Sequence, residues 1–219
     1  MKGFKSIIVK LLTVTLLATG IMSGVANASS LSEDEHRVRL ENKLDVNNLP
    51  EGTTISDRMT YDQMVEQIAK DKGITILEAQ REVGPKVNGI QPYAAGDGAW
   101  YRTFYVSVPV TSSYSVGINF YCSTQEWGNR IGITEVLNTS LNRSYNGISK
   151  QFGGSVYTNL ENANTIYYLV DGDFYNNGTI SVNGSMTIEG TGKKFTFGLS
   201  YSSNHYAYVY KDGRYYVAK

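Results

Sequence analysis

The chain has 219 residues and a formal net charge of zero, with 20 basic and 20 acidic side chains. One cysteine excludes a disulfide-stapled scaffold, and the balanced charge excludes a typical nucleic-acid-binding protein. The 17 tyrosines and 41% hydrophobic residues exclude a disordered chain. The composition therefore predicts a soluble, aromatic-rich globular protein.

The N-terminus has the order of charges and apolar residues that is typical of a secretory signal peptide. Three lysines precede an apolar run from Leu11 to Val25, and the small residues of Ala26-Asn27-Ala28 follow it. We therefore predict cleavage after Ala28 and a secreted, extracellular protein. The alternative is a retained membrane anchor, but the run is shorter than the ~20 apolar residues of a spanning helix. No stable membrane span is expected after signal cleavage.

The chain is predicted to be exported, yet it cannot form an internal disulfide, because Cys122 is the only cysteine. In these two features the chain resembles small secreted proteins of unknown function from Bacillus-like Gram-positive bacteria, whose exported domains often fold without disulfides. The resemblance implies secretion, and it assigns no particular family, activity or cofactor.

The composition changes sharply near residue 92. Residues 29–92 carry 12 acidic and 8 basic side chains but one tyrosine, whereas residues 93–219 carry the other 16 tyrosines and both tryptophans. The segment from Gly84-Pro85 to Gln91-Pro92 has the chemistry of a linker. We therefore predict a signal peptide at 1–28, a charged leader with a helical pair at 29–92, and a Tyr/Gly/Asn-rich all-β domain at 93–219.

Two capping boxes predict a pair of short helices in the leader. In Thr60-x-x-Gln63 and again in Thr75-x-x-Glu78, a hydroxyl and a longer polar side chain can satisfy the free N–H groups of a helix start. Gly73 and Gly84-Pro85 supply the two stops. In the first helix, apolar residues recur with helical spacing at Tyr61, Met64, Val65 and Ile68.

The leader has three interpretations at this stage. The first is a small packing module that stays with the mature protein. The second is a pro-region that aids folding or is later removed, because the helical pair resembles pro-segments of secreted bacterial proteases, although no position is diagnostic. The third is a protein-docking element. Release by cleavage near Pro92 would fit a secreted toxin, a bacteriocin-like factor or an inhibitor.

From Trp100 onward, apolar and polar residues alternate as they do in strands with one buried face. Four dipeptides that tolerate positive φ predict hairpin turns: Asp171-Gly172, Asn177-Gly178, Asn183-Gly184 and Asp212-Gly213. The predicted fold class is mainly β. It consists of an antiparallel β-sandwich or barrel of roughly eight to ten short strands, preceded by the two-helix segment.

Three positions carry more specific structural predictions. Pro109 interrupts a good strand pattern, which indicates an edge position or a bulge because proline cannot donate to the ladder. The polar, Gly- and Asn-rich segment 138–154 favours a long loop. Cys122 falls on the apolar phase of its strand, so a buried core thiol is favoured over a catalytic pair with His205.

The sequence carries no complete catalytic constellation. It lacks the Gly-x-Ser-x-Gly elbow of serine hydrolases and the clustered histidines or cysteines of a zinc site. A glycosidase needs two facing carboxylates, and the most suggestive acidic residues for this role are Glu126 and Glu135. With Asp171 and His205 as further weak candidates, a secreted hydrolase acting on polysaccharide or peptide is the main alternative function. No metal and no cofactor is expected.

The aromatic residues are the strongest functional signal. The candidate ligand-binding residues are Tyr206, Tyr208, Tyr210, Tyr215, Tyr216 and Trp127. We expect the first three on one face of a strand because they alternate, with Tyr215 or Tyr216 facing them across the Asp212-Gly213 turn. Exposed aromatic rows suit sugar rings and protein recognition, although tyrosine pairs also stabilise sheets without binding anything.

The predicted function is therefore non-enzymatic binding, at or outside the cell surface, of a glycan or an extracellular protein. Nucleic acid is not an expected partner, because the chain has no basic excess. The oligomeric state stays open.

Overall fold

The computed structural model describes residues 49, 51–85, 98–128 and 130–217. Strands hold 71% of these residues, in antiparallel sheets that pack together after two short helices, which confirms the predicted mainly β class. The predicted signal peptide, its cleavage site after Ala28 and most of the predicted linker lie outside the described residues. Within those residues, no helix is both long and apolar enough to cross a lipid bilayer.

The two capping boxes begin the two predicted helices. Helix α1 spans Tyr61–Lys72 and helix α2 spans Ile76–Val83. The Thr60 hydroxyl accepts a hydrogen bond from the Gln63 backbone N–H, and the Gln63 side chain accepts one from the Thr60 N–H in return. The second box does the same for α2. Gly73, with a φ of 64°, ends α1 in the left-handed conformation, so the helical pair is confirmed.

A four-stranded antiparallel sheet forms the first half of the β structure. Its strands lie in chain order as β1 (Thr53–Ile55), β2 (Gly98–Thr111), β3 (Tyr114–Trp127) and β4 (Arg130–Asn142). The short β1 pairs with residues 104–106 of β2. The leader therefore contributes a strand to the same sheet as the all-β domain.

The helical pair covers one face of this sheet. Along β3 the side chains alternate: Phe120 and Cys122 enter the main core, whereas Tyr121 points the other way and packs against the helices. Met64 and Ile68 of α1 are completely buried in this smaller cluster. The apolar side of α1 thus seals the outer face of the sheet.

The second half of the β structure closes on itself. A small hairpin, β5 (Ser144–Tyr145) and β6 (Ile148–Ser149), leads into the long strands β7 (Gln151–Asn162), β8 (Thr165–Glu189) and β9 (Gly192–Tyr216). β7 pairs both with the first part of β8 and with residues 193–197 of β9, while β8 and β9 pair along most of their length. This double pairing of β7 closes the three strands into a barrel.

The inner faces of the two halves share one core. Its largest completely buried side chains are aromatic: Tyr114, Tyr215, Phe104, Phe120, Phe152, Phe174 and Phe195. Burial of a large apolar side chain contributes about 1.5–3 kcal/mol of transfer free energy, so this shared core is the main source of cohesion between the sheets.

The four predicted hairpin turns are wrong. Three of the dipeptides lie inside β8 and one lies inside β9: Asp171-Gly172, Asn177-Gly178, Asn183-Gly184 and Asp212-Gly213. The chain reverses instead between Glu189 and Gly192, which pair with each other at the end of the hairpin. Two strands of 25 residues therefore replace several of the short strands expected from the sequence.

Glycine has other roles at these dipeptides. The register shifts between Asn183 and Ser185, and Gly184 has a φ of 79°, so this dipeptide forms a bulge. At Gly213 the reason is space, because a Cβ there would come within 2.4 Å of the Tyr168 hydroxyl oxygen. Both needs select glycine, as a turn does, so the dipeptides alone do not distinguish a turn from a bulge or a close contact.

Two further predictions have opposite outcomes. The register shifts between Pro109 and Thr111, so the predicted bulge at Pro109 is confirmed. The long loop predicted for residues 138–154 is wrong, because β4 continues to Asn142 and the β5–β6 hairpin fills the rest up to β7. Polar residues dominate this segment because much of the small hairpin faces solvent.

Candidate binding site

The pairing of β8 with β9 brings six polar and aromatic side chains together on the outside of the barrel. Three successive cross-strand rows pair Asp171 with Tyr210, Asp173 with Tyr208, and Tyr175 with His205. We refer to these six residues as the tyrosine face. Phe174, which lies between the second and third rows, is completely buried in the core. Strand alternation therefore points the six side chains toward solvent.

Contacts between neighbouring rows hold the polar groups of the tyrosine face. The Tyr208 hydroxyl donates a hydrogen bond of 2.8 Å to the Asp171 carboxylate. The Nε2 atom of His205 lies 2.8 Å from Oδ1 of Asp173, and its ring meets the Tyr175 ring edge-on with centres 5.4 Å apart. Each of these β9 side chains reaches one row along β8, so the two carboxylates have fixed positions before a ligand arrives.

The two central rings of the tyrosine face are open to solvent. Tyr208 is 56% exposed and Tyr210 is 66% exposed, although both lie well inside a long strand. The hydrogen bond to Asp171, followed by partial burial and nearby negative charge, raises the pKa of Tyr208 above its ordinary value. The phenol therefore stays protonated at neutral pH. The result is flat aromatic surface beside fixed hydrogen-bonding groups.

Tyr206 does not share this face, so the expected row of three tyrosines is wrong at this residue. The register shifts between Phe174 and Tyr175, which leaves Tyr206 as an extra residue in β9. Its ring packs edge-on against the buried Tyr114 ring at 5.7 Å, and its hydroxyl lies 3.0 Å from the Thr111 hydroxyl. The bulge thus directs Tyr206 toward the first sheet.

Tyr215 and Tyr216 also lie apart from the tyrosine face. Because Asp212-Gly213 continues β9 instead of turning, neither residue faces the other tyrosines across a hairpin. Tyr215 is 1% exposed, and its ring packs edge-on against Phe104 in the core. Burial raises the pKa of Tyr215 far above its ordinary value. Tyr216 is 42% exposed at the end of the strand.

Trp127 lies in the other half of the molecule. It ends β3, is 55% exposed, and precedes Gly128, which has a φ of 54°. It lies on β3, whereas the tyrosine face lies on β8 and β9. The predicted aromatic candidates therefore divide into two exposed rings on one face, two rings that pack inward, and two exposed rings elsewhere.

Glu126, the first catalytic candidate, is enclosed in ion pairs that stabilise the fold. Its side chain is fully buried and accepts hydrogen bonds from Arg58 at 2.6 Å, from Arg102 at 2.7 Å and from Thr124 at 2.9 Å. Burial raises its pKa, but the hydrogen bonds from Arg102 and Arg58 outweigh burial and hold the pKa below the ordinary value. An enclosed carboxylate with a lowered pKa is unsuited to act as a general acid near neutral pH.

Glu135 does not converge with Glu126. It pairs in the ladder with Ser123, which lies three residues from Glu126 and therefore on the opposite face of β3. Its carboxylate is exposed and lies 2.7 Å from Lys193 Nζ. Two carboxylates on different faces of one sheet cannot flank a glycosidic bond, which weighs against this pair as a glycosidase site.

Asp171 and His205 do share the tyrosine face, where Asp173 lies between them. The His205–Asp173 pair lies on an open surface, with side-chain exposures of 52% and 40%. Cys122 is completely buried, its thiol is directed at the Phe120 carbonyl, and burial raises its pKa, so the predicted core thiol is confirmed. Among the described residues, no group of three or more His, Cys, Asp or Glu side chains is arranged to hold a metal ion.

Asp173 and Tyr175 are members of the tyrosine face that sequence reasoning missed. The signal was the alternation of Asp171, Asp173 and Tyr175, which places all three on one face of a strand. The turn predicted at Asp171-Gly172 ends the strand before this alternation, so the sequence-based prediction does not assign these residues to one face. Apart from that turn, the sequence indicates Asp171 only as a weak candidate for hydrolysis, because its neighbour across the ladder cannot be read from the sequence.

Comparison of the chain with protein-family models, with curated proteins and with solved structures finds no match.

Proposed function

We propose that this protein is a secreted binding protein that recognises a glycan, outside the cell or at its surface, through the tyrosine face. The observation that carries the proposal is the exposure of the Tyr208 and Tyr210 rings directly beside two positioned carboxylates. An apolar ring surface with adjacent acceptors matches a sugar, which has C–H faces and a rim of hydroxyl groups.

The polar groups favour hydroxyl recognition. Asp171 accepts one hydrogen bond from Tyr208, which leaves lone pairs for further donors, and the Asp173 carboxylate is 40% exposed beside His205. Because these contacts exist without a ligand, binding requires little reordering of the side chains. Two carboxylates in the site disfavour a polyanionic glycan, so a neutral polysaccharide is the proposed ligand class.

The extracellular location rests on the N-terminal sequence. A cationic start, an apolar run and Ala26-Asn27-Ala28 support signal-peptide cleavage after Ala28. The single thiol supports this proposal as well, because Cys122 is enclosed in the core and does not present a reactive surface thiol in an oxidising environment.

Binding to neutral polysaccharides tests the proposal. The secreted chain is titrated with purified cell-wall and soluble neutral polysaccharides, and retention is followed by affinity electrophoresis. A double variant, Tyr208→Ala with Tyr210→Ala, is expected to lose at least tenfold in affinity, because the stacking surface is removed. Ile188→Ala serves as the control, because it removes another exposed large side chain (79% exposed) at the far end of β8.

Three results would contradict the proposal. One is the absence of retention by any neutral polysaccharide. Another is equal retention of the wild type and the double variant. A third is capture of a protein ligand, but no glycan, through the tyrosine face. Retention that falls in the double variant and not in Ile188→Ala supports it.

A further inference from the structure

A second feature lies beneath the helical pair, where an amine, a carboxylate and a side-chain amide meet. They belong to Lys72 at the end of α1, Glu82 in α2 and Asn138 in β4. Lys72 Nζ donates a hydrogen bond of 2.5 Å to Glu82 Oε2, and Asn138 Nδ2 donates one of 2.7 Å to the same oxygen atom. A single carboxylate oxygen therefore holds the amine and the amide next to each other.

The amine and the amide are both enclosed. The Lys72 side chain and Asn138 are completely buried, whereas the Glu82 side chain is 26% exposed. The amine lies close to the bulge of β8, because a Cβ on Gly184 would come within 3.3 Å of Lys72 Nζ and within 3.2 Å of the Phe197 ring. Burial lowers the pKa of Lys72, and Glu82 offsets only part of that effect. The surroundings therefore favour the neutral, nucleophilic form of the amine.

The Asn138 amide is oriented at both of its ends. Its Nδ2 donates to Glu82, and its Oδ1 accepts a hydrogen bond of 2.7 Å from the Thr139 backbone N–H. In the ladder Asn138 lies opposite Tyr121, which packs against the helices, so the amide belongs to the face that the helical pair covers. A donor on the carbonyl oxygen stabilises the negative charge that develops there when a nucleophile attacks the adjoining carbon.

We propose that Lys72 and Asn138 react with each other to form an intramolecular amide bond, with Glu82 as the catalytic proton carrier. Glu82 takes a proton from the Lys72 ammonium, and the lone pair of the neutral amine attacks Cγ of Asn138. Glu82 then gives its proton to Nδ2, the Cγ–Nδ2 bond breaks, and ammonia leaves with the electron pair of that bond. The extra proton on the new Nζ–Cγ linkage passes to Glu82. One C–N bond forms and one breaks, so no oxidant, reductant or cofactor is needed.

The bond joins the leader to the β domain covalently. It closes a long segment of the chain that includes β2 and β3, and such closure stabilises a fold mainly by restricting the unfolded chain. A chain whose only thiol is Cys122 cannot gain this restriction from an internal disulfide. The leader would also stay attached after a cut near Pro92. None of this depends on the function proposed for the tyrosine face.

Mass spectrometry of the full secreted chain tests the bond directly. Once the N-terminal residue has been determined, we expect an intact mass about 17 Da below the mass calculated from the sequence, because the reaction releases one ammonia. Trypsin is expected to release residues 71–81 joined to residues 131–143, because it does not cleave after an acylated lysine. Fragmentation of this joined pair then locates the link at Lys72 and Asn138.

Three variants make the result specific. Glu82→Gln keeps the size of the side chain and removes the proton carrier, so its mass is expected to equal the calculated one. Lys72→Arg keeps a charged donor but removes the primary amine, and the same result is expected. Glu66→Gln is the matched control, because it makes the same change at an exposed position of α1, and it is expected to keep the loss of one ammonia. Circular dichroism checks that each variant keeps the β fold.

A link between Lys72 and Asn138 in the wild type and in Glu66→Gln, but not in Glu82→Gln, supports the proposal. Three results overturn it. One is a wild-type chain of unmodified mass. Another is a loss of ammonia at a different place, such as a succinimide at Asn183-Gly184. The third is a link that forms equally well in Glu82→Gln. The wild-type measurement decides even where a variant does not fold, and it is independent of polysaccharide retention by the tyrosine face.

Discussion

Tyr121 and Tyr208 are both mid-strand tyrosines with a hydrogen-bonded hydroxyl, yet their surroundings are opposite. Tyr121 is 0% exposed because the helical pair covers it, and its hydroxyl donates to Asp71 of α1. Tyr208 is 56% exposed, and its hydroxyl donates to Asp171 on the neighbouring strand. One outer sheet face is thus closed by the leader, whereas the other is left open. Residue type alone does not separate a structural tyrosine from a candidate ligand contact.

The closed face is held by polar contacts as well as apolar ones. Lys72 is 3% exposed, and its ammonium donates to Glu82 at 2.5 Å and to the Gly184 carbonyl at 2.8 Å. Burial lowers the pKa of Lys72, and Glu82 offsets only part of that effect. The Asn183 amide donates to the Lys72 carbonyl. These contacts join the helical pair to the barrel.

The largest expected effect comes from removing the leader altogether. A chain of residues 93–219 lacks β1, the helical pair and the Arg58 partner of Glu126. We expect a loss on the order of 5–10 kcal/mol, comparable to the whole stability of a typical domain, because several apolar side chains lose their cover. Urea unfolding followed by near-ultraviolet circular dichroism measures it. Cooperative unfolding of the truncated chain would instead support the pro-region interpretation.

The next largest loss of stability is expected from a substitution that leaves a cavity beneath the helical pair. Met64 is completely buried between α1 and the sheet, so Met64→Ala is expected to destabilise the protein by about 3 kcal/mol. Leu77→Ala is the control, because Leu77 is an apolar residue of the same helical pair that is 56% exposed. We expect its free energy of unfolding to change by less than about 0.5 kcal/mol. Equal losses in the two variants would mean that the helical pair does not pack as described.

Glu126→Gln tests the two ion pairs of this carboxylate, of which the pair with Arg58 attaches the leader to β3. We expect a loss of about 2 kcal/mol at pH 7, less than for a fully buried pair, because the Arg58 side chain is 30% exposed. The pKa of Glu126 is lowered in the fold, so its contribution is present above the unfolded pKa of about 4.3 and disappears as pH falls through the lower folded value.

The measurement is the difference in unfolding free energy between wild type and Glu126→Gln at pH 7 and at pH 3. That difference is expected to shrink at the lower pH. Glu135→Gln is the matched control, because its carboxylate is exposed beside Lys193, and we expect a change below about 1 kcal/mol. A pH-independent difference for Glu126→Gln would contradict the assigned ion pairs.

The smallest expected effect on stability comes from the open face. Tyr208→Ala with Tyr210→Ala removes two exposed rings, so we expect a loss of roughly 1 kcal/mol or less by urea unfolding, despite the loss of glycan retention. A loss above about 3 kcal/mol would instead assign these tyrosines a structural role, like that of Tyr121.

The two helices were predictable because their signals are local. Thr60 and Gln63 are three residues apart, and Gly73 ends α1 through its own backbone conformation. The alternation that identifies strands is equally local, and it correctly predicted that the Cys122 side chain is buried. The hairpin turns were not predictable in this way, because glycine at residue 184 serves a bulge and at residue 213 makes room for a ring.

The candidate site was predictable only in part. Tyr208 and Tyr210 were identified from their spacing, whereas Tyr206 was misplaced because one extra residue in β9 shifts it out of the alternation. The partners Asp173 and Tyr175 were missed because they depend on the β8–β9 register. A register error of one residue moves every side chain of a strand to the opposite face.

The sequence by itself determined the mainly β class, the helical pair and the enclosed thiol. The reason is that helix caps and strand alternation each depend on only a few neighbouring residues. Only the tertiary structure decided which tyrosines are exposed, which acid is buried and which sheet face is covered. Those outcomes depend on partners far apart in the chain, such as Arg58 with Glu126 and Lys72 with Gly184. Burial is a property of the assembled sheets and helices, so no local pattern can specify it.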